Sequence, residues 1–97
     1  MAERDDQVAV LLRIEGRVQG VWYRGWTIDE ATARGLRGWV RNRRDGTVEA
    51  LLVGPGAAVR EMIEACRKGP RAARVTEIVE SPAEDHGEAG FSQLPTL

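Results

Sequence analysis

Three polar features of this chain have the types and spacing to do chemistry. GRVQG spans residues 16–20 with a glycine at each end, Arg24 follows four residues later, and Asn42 closes GWVRN. A short glycine-bounded stretch that leads into a helix aims several unpaired backbone N–H groups at one point, and glycine lets an anion approach the backbone closely. The helix dipole adds favourable potential for negative charge at the same place. An arginine in the first helical turn offers a planar fork that matches phosphate oxygens bidentately. The backbone of Arg17, Val18, Gln19, Gly20 and Val21 would then form a nest beside one fixed cation, a cradle for phosphate. On the residues alone, a tight turn with a surface arginine stays open as an alternative, because GRVQGV lacks the Lys-Ser/Thr of a Walker loop and is not GxGxxG. For Asn42 the simpler reading is an asparagine that supports the turn after it.

These residues need elements to position them. Val8, Val10, Leu12 and Ile14 alternate with a polar face at Arg13 and Glu15, which predicts a strand over 8–14. A helix is expected from near Val21 to Gly35, with Gly35 and Leu36 as its terminating pair. LRGWVRN (36–42) and TVEALLV (47–53) read as strands joined by a turn at Asp45-Gly46, and GPG at 54–56 should end the second. Val59, Met62, Ile63 and Cys66 fall at i, i+3, i+4 and i+7, the clearest helical stripe in the chain. ARVTEIVE (73–80) reads as a further strand, SPAEDHGEAG as a polar loop, and FSQL as at most a short last strand. The order β-α-β-β-α-β is that of an α+β, ferredoxin-like split βαβ fold with a mostly antiparallel sheet of four to five strands and two helices on one face. Its first crossover makes strands one and two parallel, so the loop after strand one and Asn42 at the end of strand two share one edge of the sheet.

Composition narrows the partners. The 97 residues suit one domain, read as 8–97, behind a frayed segment at 1–7. Fourteen basic residues nearly cancel fifteen acidic ones, and the sequence pI is near 5.8, so bulk charge offers no attraction to nucleic acid or anionic lipid. RNA-recognition domains share the fold order, but here strand three presents Thr47, Glu49 and Leu51 where such domains carry stacking aromatics. One cysteine and one histidine cannot build a Cys- or His-rich metal centre. No apolar run approaches spanning length, and MAERDDQ lacks the apolar core of a signal peptide. The expectation is a cytoplasmic protein without metal, cofactor, membrane or nucleic-acid partner, and nothing requires more than a monomer. Cys66 belongs to the core stripe, His86 stands in a loop without a motif, Trp22 and Trp26 read as core or site wall, and Trp39 alternates with Arg37 and Arg41 on the outer sheet face.

GRVQGVWYR followed by GWVRNRRDGTVEALLVGP resembles the acylphosphatase family, in order and at the family's spacing, over about residues 8 to 80. The resemblance implies hydrolysis of a small acyl phosphate to a carboxylate and inorganic phosphate, with no cofactor. It implies that residues 17–21 bind phosphate through their backbone, that Arg24 binds it through its side chain, and that Asn42 positions the attacking water. Tyr23 stands where the family commonly has phenylalanine, and the chain closes on FSQLPTL where a basic or aromatic residue is common. The chemistry suits so few groups. A carboxylate leaving group, with a pKa near ~4, needs no general acid. Phosphoryl transfer then depends on alignment and on stabilising the equatorial oxygens. A non-catalytic anion-binding or regulatory domain is the competing reading.

Overall fold

The structure is a computed structural model that describes residues 7–97. The segment expected to fray thus lies outside the described residues, apart from Gln7, which opens the first strand. The order is β1 (Gln7–Arg17), α1 (Tyr23–Ala33), β2 (Arg37–Asn42), β3 (Val48–Pro55), α2 (Gly56–Lys68), β4 (Arg74–Pro82) and β5 (Phe91–Gln93). The five strands form one sheet in the order β4-β1-β3-β2-β5. β1 pairs antiparallel with β3 and β4, β2 pairs antiparallel with β3, and β5 lies parallel to β2. This is the ferredoxin-like arrangement extended by one parallel edge strand. No helix among the described residues is long and apolar enough to cross a membrane.

The core lies between the sheet and the two helices, and alternation decides what enters it. Leu12 and Ile14 of β1, Val40 of β2, and Val48, Ala50 and Leu52 of β3 are fully buried on one face. They meet Val59, Met62, Ile63 and Cys66 of α2, the stripe expected from the sequence. Burying a side chain of this size stabilises the fold by roughly 1.5–3 kcal/mol. Burial also pushes the Cys66 thiol up to about 12, which leaves it protonated and inert.

α1 contributes Tyr23, Thr27 and Ala31 to the core and ends in a Schellman closure, with Gly35 N–H donating to Thr32 O and Leu36 N–H to Ala31 O. Its anchor is Tyr23, whose hydroxyl donates to the Cys66 carbonyl at 2.6 Å and so ties the start of α1 to the end of α2. Tyr23→Phe is expected to lower stability by about 1 kcal/mol, because one buried hydrogen bond is lost while the ring still packs. For a domain of this size that corresponds to a Tm lower by about 4–8 °C, measurable by thermal denaturation.

Three boundaries differ from those the sequence suggests. β3 runs on to Pro55 because Gly54 and Pro55 pair with Val8 and Gln7, so the turn residues do not end it early. α1 begins at Tyr23, two residues later than expected, because Trp22 adopts a left-handed conformation at φ 67. β1 continues through Gly16 and Arg17, which pair with Val75 and Arg74 beyond a register shift after Glu15.

On the outer face of the sheet the polar loop is clipped down by Arg37, which donates to both carboxylate oxygens of Asp85 at 2.9 and 2.6 Å. The Arg37 guanidinium, helped by the Gly87 N–H, holds the Asp85 carboxyl down at about 2, below its ordinary 3.8. A carboxylate with a depressed folded pKa stabilises the fold above its unfolded pKa, and that increment disappears as pH falls through the folded value. The stability difference between wild type and Asp85→Asn should therefore be full above about pH 4 and shrink towards pH 2, as urea titrations across that range can show.

Candidate active site

Topology brings the two polar features to one place. Val48 of β3 pairs with Ile14 of β1 on one side and with Asn42 of β2 on the other. At ~4.8 Å between neighbouring strands, Asn42 lies about 10 Å across the sheet from Ile14, near the end of β1. It shares the parity of fully buried Val40, so its carboxamide lies on the face that carries the helices, where α1 begins.

The two glycines of GRVQG do different work. Gly16 has φ 126, and a Cβ there would overlap the Arg74 carbonyl of β4, so this glycine serves the irregularity in the β1–β4 ladder. Gly20, at φ 76 with open space around its Cα, lets the chain turn from strand to helix. Of the residues expected to form the nest, three line one cavity and two do not. Arg17 is an exposed strand residue, Val21 packs against the core, and the turn that faces the site is formed by Val18, Gln19, Gly20 and Trp22.

That turn lines a cavity of about 210 Å³ together with Tyr23, Arg24, Gly25, Asn42 and Gln93. The start of α1 has no side-chain cap and no acidic residue in its first turn, so its leading N–H groups keep their capacity for an external acceptor. Among the described residues the half-buried arginines are Arg24, Arg34, Arg37, Arg41 and Arg43. Four of these lie against a carboxylate, Arg34 on Glu30, Arg37 on Asp85, and Arg41 and Arg43 on Glu49. Arg24 alone has no such partner among the described residues. Asn42 complements it, since its Oδ1 is buried without a hydrogen-bond partner among the described residues. Buried polar atoms are paired as a rule, so an acceptor and a guanidinium that line one cavity without partners among the described residues mark a place with room for another group.

Two positioning devices escape a reading of the sequence alone. Gln19 matters through its side chain as well as its backbone. Its amide nitrogen donates to the carbonyls of Arg43 and Thr47, both at 2.8 Å, and staples the turn to the base of the β2–β3 hairpin. The available signal was a two-donor amide placed where a backbone nest needs no side chain at all. The second device is the C-terminal stretch. Leu97 N–H donates to the Asn42 carbonyl and Arg44 N–H to the Leu97 carbonyl, so β2 is held on both sides at the position of Asn42.

A second cavity, also about 210 Å³, lies on the outer sheet face beside Trp39, Asp85 and His86, but its arginine, Arg37, is already occupied by Asp85. Of these two cavities, the first is the one whose arginine faces no carboxylate among the described residues.

Comparison with known proteins identifies the family. The acylphosphatase family model matches residues 10–93. An acylphosphatase of Rhodospirillum rubrum is 58% identical over 88 residues, covering 91% of this chain and 97% of its own. One from Rhizorhabdus wittichii is 47% identical over 96 residues, covering 99% and 97%. The crystal structure of acylphosphatase from Bacillus subtilis is similar at a TM-score of 0.87 and 38% identity, covering 90% of this chain and 98% of that one. Since motif, fold and near-complete coverage in both directions agree, the chain belongs to the acylphosphatase family and is an enzyme that hydrolyses acyl phosphates to carboxylate and inorganic phosphate.

Proposed function

We propose that the cavity between the β1–α1 turn and the end of β2 is where this acylphosphatase works, with Arg24 and Asn42 as its catalytic residues. The turn from Val18 to Trp22 and the first N–H groups of α1 hold the phosphoryl oxygens, and Arg24 clamps them with its fork. Asn42 Oδ1 accepts a hydrogen bond from the attacking water and so turns the water's lone pair towards phosphorus, in line with the acyl oxygen. The new P–O bond forms as the bond to the acyl oxygen breaks, and the carboxylate leaves with the electron pair. Among the described residues, the side chains lining the cavity include no carboxylate, histidine or cysteine, and the Tyr23 hydroxyl is committed to the Cys66 carbonyl. The proton released by the water therefore passes to the phosphate itself. The observation that carries this reading is that Arg24 and Asn42 Oδ1, neither with a partner among the described residues, line one cavity.

A phosphate-release assay on benzoyl or acetyl phosphate tests it. Inorganic phosphate should compete with substrate, because the cradle recognises the group common to both, and turnover should persist in EDTA. Noncompetitive inhibition would place phosphate elsewhere. Loss of turnover in EDTA with rescue by a divalent ion would overturn the metal-free mechanism. We also propose a cytoplasmic monomer that acts without nucleic acid, supported by the lone buried cysteine and the near-neutral charge.

A further inference from the structure

We infer that Trp22 is the wall against which the acyl half of the substrate packs, and that it selects aromatic acyl phosphates over acetyl phosphate. Trp22 is the one non-glycine residue with a positive φ among the described residues, and a bulky side chain in that conformation is an outlier. It is also the most exposed large hydrophobic residue among those described, at 62%. Neither property suits a residue whose job is core packing.

The indole is nonetheless held in place. Gly25 lies three residues later on the same helical face, and a Cβ built there would overlap Nε1, Cε2 and Cδ1 of the Trp22 ring. The missing side chain of Gly25 is therefore the seat on which the indole rests, while the ring stays open to solvent. Trp22 and Gly25 line the same cavity as Arg24 and Asn42.

This inference rests on the phosphate site proposed above. With the phosphoryl group anchored by the turn and Arg24, the acyl group must extend outward past the rim. Tyr23, the other aromatic of the lining, is buried with its hydroxyl engaged, so Trp22 is the aromatic surface that an emerging acyl group can meet. A benzoyl ring can stack on or edge against the indole, whereas an acetyl group covers little of it.

The test compares wild type with Trp22→Gly and Trp22→Phe. Glycine accepts the positive φ without strain, and phenylalanine keeps an aromatic face. In Trp22→Gly the ratio of kcat/KM for benzoyl phosphate to that for acetyl phosphate should fall by about three- to tenfold, the range of one aromatic contact. The ratio of inhibition constants for benzylphosphonate and methylphosphonate should move by a similar factor, since both are stable and differ only in the group beyond phosphorus. Trp22→Phe should keep most of the selectivity. An unchanged ratio in Trp22→Gly, with both substrates affected equally, would overturn the inference and leave Trp22 a structural residue. A folded Arg24→Ala that binds inorganic phosphate like wild type would remove the phosphate site and this inference with it. If Arg24→Ala loses phosphate while Trp22→Gly keeps the ratio, the acyl wall alone falls.

Discussion

Arg24→Ala is expected to weaken inorganic phosphate binding and to remove most turnover while the protein stays folded. Each charge-assisted hydrogen bond from the guanidinium contributes roughly 1.5–3 kcal/mol to holding phosphate, in ground state and transition state alike. A phosphoryl group that shifts by even a fraction of its bond length also loses its alignment with the water, so kcat should fall by about a hundredfold or more. Arg24→Lys should not restore it, because an ammonium cannot grip two oxygens through a planar fork. Stability should move the other way. A cation in the first turn of α1 opposes the helix dipole, and Arg24 has no carboxylate partner among the described residues, so its removal should be neutral or stabilising by about 0.3–1 kcal/mol. Isothermal titration with phosphate, steady-state kinetics and thermal denaturation read the three effects separately. A folded Arg24→Ala with wild-type phosphate affinity would sink the assignment.

Asn42→Ala should separate binding from chemistry. If its carboxamide touches only the attacking water, phosphate affinity should stay close to wild type while kcat drops by about 10²- to 10³-fold, the signature of an interaction needed in the transition state. Because Oδ1 is buried without a protein partner among the described residues, the substitution breaks no internal hydrogen bond and should cost little stability. The backbone of residue 42 keeps its place through the Leu97 N–H whatever the side chain. The outcome that contradicts the proposed division of labour is a folded variant that loses phosphate affinity but keeps its kcat, since Asn42 would then be a binding residue.

What could be read from the sequence depends on short-range physics. Alternation at Leu12 and Ile14, the i, i+3, i+4, i+7 stripe from Val59 to Cys66, and the Asp45-Gly46 turn each express a local period or a local φ demand, and the structure shows all three. The order of elements follows from them, and the order in turn puts Asn42 at the same sheet edge as the β1–α1 turn. Arg24 and Asn42 were accessible for that reason, as residues fixed at the ends of elements whose limits are local.

The remainder required partners distant in the chain. Gly16 looks like half of a loop until β4 lies beside it, where the Arg74 carbonyl leaves no room for a side chain. Gln19 reveals its staple only when the β2–β3 hairpin folds against the turn, because its acceptors are 24 and 28 residues away. A three-residue strand such as Phe91–Gln93 has too few positions to show a period, and its parallel place beside β2 comes from ladder hydrogen bonds with no local signal. Trp22 is the sharpest case. Hydrophobicity alone sends a tryptophan to the core or to a wall, and the chain's tight turn at φ 67, with the gap left by Gly25, keeps this one exposed at the cavity. The sequence by itself determined the elements and the two side chains proposed for the chemistry, since those follow from local period and charge. Tertiary structure alone decided which turn residues and which aromatic line the cavity beside them, since that depends on which distant residues leave space and which supply hydrogen bonds.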